Sequence, residues 1–243
     1  MRKNIKIGFS EIGGIYIGED IQTEQHLHHA ITIAVSFSEK FHFESGQQSV
    51  FCSGIIIQPN AIRKFINPYK SYVAFIHIDP FCSQGFNLTD KSETFKELSP
   101  SQTQNILEIL RNWFSVNENN EKLTEELIVQ IAAKIGIISN TVKMDSRIVQ
   151  AIDLIRKSEK STLKHVAASN NLSTYRLSHL FKEQTGMSFR EFVLYSKLIK
   201  SLKAICDNQN FTQSSYSGGF SDQAHFTRTY FKAFGILPSR SVK

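Results

Sequence analysis

Two histidines one residue apart, His26 and His28 in the run Gln25-His-Leu-His-His29, stand just ahead of an apolar, β-branched stretch. Side chains alternate along a strand, so both project from one face. Imidazoles so placed can ligate a metal, contact a polar effector, or line the mouth of a β domain without a ligand. The three cysteines, Cys52, Cys82 and Cys206, are an odd number without a Cys-x-x-Cys pair. That pattern suits small core or surface residues in a reducing, cytoplasmic compartment. We assign no catalytic residue and no cofactor.

A different chemistry is carried by charge. The chain has 28 Lys and Arg against 22 Asp and Glu over 243 residues, and the excess is uneven. Residues 143–243 hold 16 basic and 7 acidic side chains, whereas residues 1–142 hold 12 and 15. A basic C-terminal part beside a mildly acidic N-terminal part predicts that only the former approaches a polyanion. No basic-then-apolar leader opens the chain, and no uncharged run approaches the roughly 18 apolar residues of a membrane span. We therefore expect a soluble, cytoplasmic protein.

The elements that position these residues change character near Pro100. Before it, short runs rich in β-branched and aromatic residues alternate with polar turns: 15–17, 30–37, 40–44, 49–51, 54–58 and 72–78. They predict a small antiparallel barrel or sandwich. After it, Ile106, Leu107, Leu110, Trp113 and Phe114 recur at helical spacing, with Ser101 as the expected cap. A second helix over about 122–135 carries Leu123, Leu127, Ile131 and Ile135 on one stripe. Such a stripe serves either the domain's own core or a homodimer seam, and the seam is our expectation. The polar, non-periodic segment 139–144 is the expected linker between domains 1–138 and 145–243.

Beyond Asp145 the start signals are helical: Asp145 before 147–157, Ser161 before 163–168, and Ser173 before 175–183. A longer helix is expected over about 188–207. A short helix, an Asn-Asn-Leu turn and a capped second helix make a helix-turn-helix, with Leu163, Val166, Ala167, Leu172, Leu177, Leu180 and Phe181 as its small core. From Thr212 the layout recurs, with Gly218 and Gly219 at the turn, Ser221 or Asp222 as cap, and Phe220, Phe226, Tyr230 and Phe234 as the apolar face.

These segments, Leu172-Ser-Thr-Tyr-Arg-Leu-Ser-His-Leu-Phe-Lys-Glu-Gln-Thr-Gly186, Gly219-Phe-Ser-Asp-Gln-Ala-His-Phe-Thr-Arg228 and Phe234-Gly-Ile-Leu-Pro238, resemble the DNA-binding domain of the AraC/XylS transcription regulators. The resemblance implies two helix-turn-helix units joined by one rigid helix. A linking helix of about 19 residues spans roughly 28 Å, close to the roughly 34 Å between successive major-groove faces. Carried over position by position, the groove-facing residues are Thr174, Tyr175, Ser178, His179 and Lys182 in the first unit. In the second they are Asp222, Gln223, Thr227 and Arg228. Arg suits guanine, Gln suits adenine, and Lys182 suits phosphate. The resemblance departs at Ser214-Ser215, where the family usually has Ile-Ala, and at Lys197, where an Arg usually stands. Two hydroxyls at core positions must find partners or cost stability.

The N-terminal part resembles the family's cupin-like effector domain. His26 and His28 have the spacing that enzymatic cupins use for metal, and Gly54-Ile-Ile-Ile-Gln-Pro59 resembles the second cupin motif. Where that motif's metal-binding His should follow stand Arg63 and Lys64, two cations that disfavour a metal and favour an anion. The expected fold is α+β, a cupin-like antiparallel barrel with helices followed by an all-α double helix-turn-helix domain. The expected function is a sequence-specific regulator, an activator by resemblance, with double-stranded DNA, RNA polymerase, a second copy and a small effector at His26, His28, Arg63 and Lys64 as partners. The alternatives are a metal-dependent cupin enzyme fused to a DNA-binding domain, and a regulator without effector.

Overall fold

The computed structural model describes residues 5–116, 120–137, 144–158, 161–207 and 209–241. The chain divides into two compact units, Met1–Asn140 together with Tyr230–Lys243, and Thr141–Thr229. Of the expected linker, all but Met144 lies outside the described residues.

The first unit holds strands β1 (Lys6–Ser10), β2 (Gly13–Glu19), β3 (His26–Leu27), β4 (Ile31–Ser36), β5 (Phe41–Ser45), β6 (Gln48–Cys52), β7 (Gly54–Ile57), β8 (Ile62–Ile66), β9 (Tyr72–Ile78) and β10 (Phe95–Glu97). They form two antiparallel sheets, ordered β1-β2-β9-β4-β7-β10 and β3-β8-β5-β6. Among the described residues these two sheets are not hydrogen-bonded into one closed barrel; they pack as layers, and the large sheet is buried on both faces. Ile31, Ile33 and Val35 of β4 join a core with Ile106, Leu110, Ile128 and Ile131 of the helices. Ala34, between them, joins the opposite core with Phe41, Phe43 and Phe65 of the small sheet. The resulting order is helices, sheet, sheet, and the central layer reads as apolar runs such as Gly54-Ile-Ile-Ile57.

Helices α1 (Ser83–Leu88), α2 (Pro100–Ser115) and α3 (Glu121–Ile135) complete this unit. Ser99, not Ser101, caps α2: its hydroxyl accepts the Gln102 amide and the Gln102 side chain accepts the Ser99 amide. Pro100 takes the first helical position, where its missing N–H costs nothing. The α3 stripe faces inward. Leu127 and Ile131 are buried in the helix-facing core, with Leu123 and Ile135 packed against it. Their apolar surface is thus covered within the chain, and the outer side of α3 retains Val129, 39% exposed.

The second unit contains α4 (Ser146–Lys157), α5 (Leu163–Ser169), α6 (Thr174–Thr185), α7 (Phe189–Cys206), α8 (Phe211–Ser217) and the start of α9 (Gln223–Phe234); α10 (Pro238–Ser241) lies in the first. Asp145, Ser173 and Ser188 cap α4, α6 and α7. Thr162, not Ser161, caps α5 by accepting the His165 amide. Ser214 and Ser215 are fully buried. Each satisfies its hydroxyl on the backbone, Ser214 at Gln209 O (3.3 Å) and Ser215 at Thr212 O (2.7 Å), so the expected desolvation cost is offset locally. Their small size goes with a close approach to α7, where a Cβ on Gly218 would lie 1.9 Å from the Ser201 hydroxyl.

Candidate nucleic-acid interface and buried histidine site

The first helix-turn-helix is built by α5, its turn and α6. Asn171 adopts the left-handed conformation, φ 53°, which Asn tolerates better than most residues. Buried Asn170 donates its side-chain amide to Val166 O, and the Leu172 amide closes onto Ala167 O. Ser173 then accepts the Arg176 amide and starts α6. Leu177, Leu180 and Phe181 point inward, and Gly186 ends the helix at φ 74°. That inward face leaves Thr174, Tyr175, His179 and Lys182 exposed and Ser178 half-buried. Tyr175 is 74% exposed, an unusual position for a large aromatic side chain. Its ring lies 4.4 Å from that of His179 one turn later, so the two form a single aromatic ridge. The Ser178 hydroxyl donates to Thr174 O.

The second helix-turn-helix repeats the device with α8, Gly218-Gly219 and α9. Gly219 takes φ 85°, and Phe220 packs on Phe226 at 5.7 Å. Asp222, Gln223 and Arg228 are exposed and Thr227 half-buried. Asp222 serves here as a cap: its carboxylate accepts the His225 amide at 2.7 Å and the Ser221 hydroxyl at 2.9 Å, bonds that lower its pKa. The Gln223 carbonyl oxygen accepts from the Thr212 hydroxyl at 2.6 Å, leaving its amide nitrogen outward for an acceptor. Helix α7, which joins the two devices, has 18 residues and so a length of about 27 Å.

In the first unit the four residues expected around an effector separate. His26 and His28 are 9% and 2% exposed, and Arg63, paired with His26 across β3 and β8, is 1% exposed. The Arg63 guanidinium donates to the Thr32 hydroxyl (2.6 Å) and to the carbonyls of Gln58 (2.8 Å), Ala61 (3.2 Å) and His28 (3.5 Å). Lys64 points the other way, as strand alternation requires, and pairs with Glu44 at 3.5 Å. Among the expected four, then, His26, His28 and Arg63 come together and Lys64 does not.

The same cluster contains residues that sequence reasoning missed. His77 stacks on His28 with ring centroids 4.4 Å apart and shares a hydrogen bond with Thr32. Its only sequence signal was alternation along β9, which puts Val73, Phe75 and His77 on one face. Phe234, in the same unit, lies 4.9 Å from His28 and 5.7 Å from His77, and the Glu24 amide donates to Gly235 O. Burial, reinforced by the Arg63 charge, lowers the pKa of His26 to about 4 and of His77 to about 3. Burial also holds His28 well below its ordinary value, with His77 and Arg63 adding to the effect. The histidines are therefore neutral at pH 7. The His28 Nε2 and the Tyr16 hydroxyl are buried without a hydrogen-bond partner. Among the described residues, no group of three or more His, Cys, Asp or Glu is arranged to hold a metal ion. Cys52, Cys82 and Cys206 form no disulfide among the described residues, and burial raises Cys52 to about 12 and Cys206 to about 11.

Residues 147–243 match the family model described as a helix-turn-helix domain. They form an AraC-type DNA-binding domain. In the chain this domain follows an N-terminal β domain. Solved structures of ToxT from Vibrio cholerae share the fold. One is 14% identical, covers 99% of this chain and 96% of its own, and has a TM-score of 0.61. Another, bound to an unsaturated fatty acid, is 11% identical, covers 100% and 95%, and has a TM-score of 0.60. No curated protein matches the sequence. No described helix is long and apolar enough to cross a membrane. For the AraC-type domain, the resemblance seen in the sequence thus rests on the residues that build both turns.

Proposed function

We propose that the chain regulates transcription by placing α6 and α9 in successive major grooves, with α6 as the principal reader of sequence. The observation that supports this most is the outward face of α6, where Tyr175, His179 and Lys182 stand exposed while Leu177, Leu180 and Phe181 hold the helix from behind. Thr174, Ser178 and His179 meet base edges, and Lys182, nearer the helix end, meets phosphate. On α9, Arg228 and the Gln223 amide read bases, Thr227 flanks them, and Asp222 orders the helix start. Activation through RNA polymerase belongs to this reading by family resemblance. So does dimerisation, which would have to use apolar surface other than the covered α3 stripe.

Titration of the full chain against DNA tests the α6 reading. His179→Ala is expected to cost about 1–3 kcal/mol and to relax preference at one base pair. Lys182→Ala should weaken binding to all sequences alike and flatten the dependence of log K on log salt by about one unit. Equal loss on every sequence for His179→Ala would remove that helix from its assigned groove.

The N-terminal unit is proposed to sense a small polar or anionic ligand at the His26, His28, His77 and Arg63 cluster. Two observations support it: the unpartnered His28 Nε2 and Tyr16 hydroxyl, and the fatty acid bound in a ToxT structure. A ligand that binds the folded state raises the melting temperature with its concentration. We expect an unsaturated fatty acid to do so for the native protein and to a smaller extent for His28→Phe. Equal shifts in both would place the ligand elsewhere.

A further inference from the structure

Between the C-terminal half of α6 and the first turns of α7 lies a groove of about 820 Å³. Its floor is apolar, formed by Leu163, Phe189 and Val193, and its rim carries Lys182 and Arg190 with a single acid, Glu183. Both cations are exposed, and among the described residues neither side chain makes a hydrogen bond or ion pair. The Ser161 hydroxyl, also lining the groove, is buried without a partner. His179 and Ser178, the proposed base readers, form part of the same wall.

We infer that this groove seats the sugar-phosphate backbone of the DNA strand beside the major groove entered by α6, with Arg190 as a phosphate-binding residue. The occupant is argued from chemistry and place. A phosphate diester is an anion flanked by apolar sugar carbons, and the groove offers two cations above an apolar floor. A strand whose bases meet Ser178 and His179 must carry its backbone close to one edge of α6, and the groove opens along that edge. Arg190 suits the task better than a second lysine because its planar fork donates two parallel bonds to one phosphate. Ser161 supplies a further donor. Among the described lining residues Glu183 alone opposes the anion.

This inference rests on the α6 reading, so its test must fail separately from it. Full-length protein is titrated at several salt concentrations against random-sequence duplex DNA and against genomic fragments that the native protein selects. Arg190→Ala is expected to weaken binding to both about tenfold and to flatten the salt slope by about one unit. Arg190→Lys should restore most of the slope, and Glu183→Gln should tighten binding to both DNAs. Melting temperatures of all variants are compared with the native value, and Arg190, being exposed, should leave it unchanged. An Arg190→Ala protein with native affinity and slope, while Lys182→Ala flattens the slope, overturns the groove and leaves the α6 reading standing. A loss of affinity with an unaltered slope also overturns it, since a structural defect would do that. If Arg190, Lys182 and His179 can all be replaced without effect, the α6 reading falls and the groove assignment with it.

Discussion

Lowering the pH from 7 to 4 is expected to destabilise the first unit steeply, and His77 alone should account for up to about 3 kcal/mol of the loss. His77 has its pKa lowered to about 3 and His26 to about 4, with His28 also well below its ordinary value. In the unfolded chain each returns to about 6.5. Between these limits the unfolded state binds more protons than the folded one, so stability is complete above about pH 6.5 and is lost as pH falls. The loss levels off only once the folded-state values are passed. Arg63 stays charged throughout and faces all three rings, so no imidazolium can form there without meeting a fixed cation. Urea denaturation at a series of pH values measures the effect. The His77→Gln protein should give a visibly flatter curve below pH 6.5 than the native one, since other titrating groups are common to both. Parallel curves would show that His77 is not held neutral.

Neighbours on one strand should respond to the same truncation with losses of very different size. Arg63→Ala removes a guanidinium that is 1% exposed and bonded to Thr32, Gln58, Ala61 and His28. It leaves a hydroxyl and several carbonyls buried beside an empty volume, and about 3–5 kcal/mol should be lost. Lys64→Ala removes only a half-exposed ion pair with Glu44, and its cost should stay within about 1 kcal/mol. Chemical denaturation midpoints check both. A mild Arg63→Ala phenotype would mean that water replaces the guanidinium, and the cluster would then be open rather than sealed.

The sequence went furthest where structure is local. Helices α4 and α6 announced themselves by a capping residue followed by apolar side chains at helical spacing, and the outward residues of α6 follow from the same period. The cap of α2 was misread by two residues because Ser99, Pro100 and Ser101 all suit a helix start; the reciprocal bond between Ser99 and Gln102 decides it. Strand β8 escapes a sequence reading because Arg63 and Lys64 interrupt its apolar pattern, and nothing local says that Thr32 and His28, 31 and 35 residues away, will help to surround one guanidinium.

By itself, then, the sequence determined the two helix-turn-helix devices, their exposed faces and the basic character of the C-terminal part, because caps, turns and helical period act over a few residues. Tertiary structure alone decided that the α3 stripe is core, that the β strands form two layers, that His77 joins His28, and that Arg190 shares a groove with Lys182. Each of these depends on which distant segment packs against which, and burial is a property of the partner surface that no single segment carries.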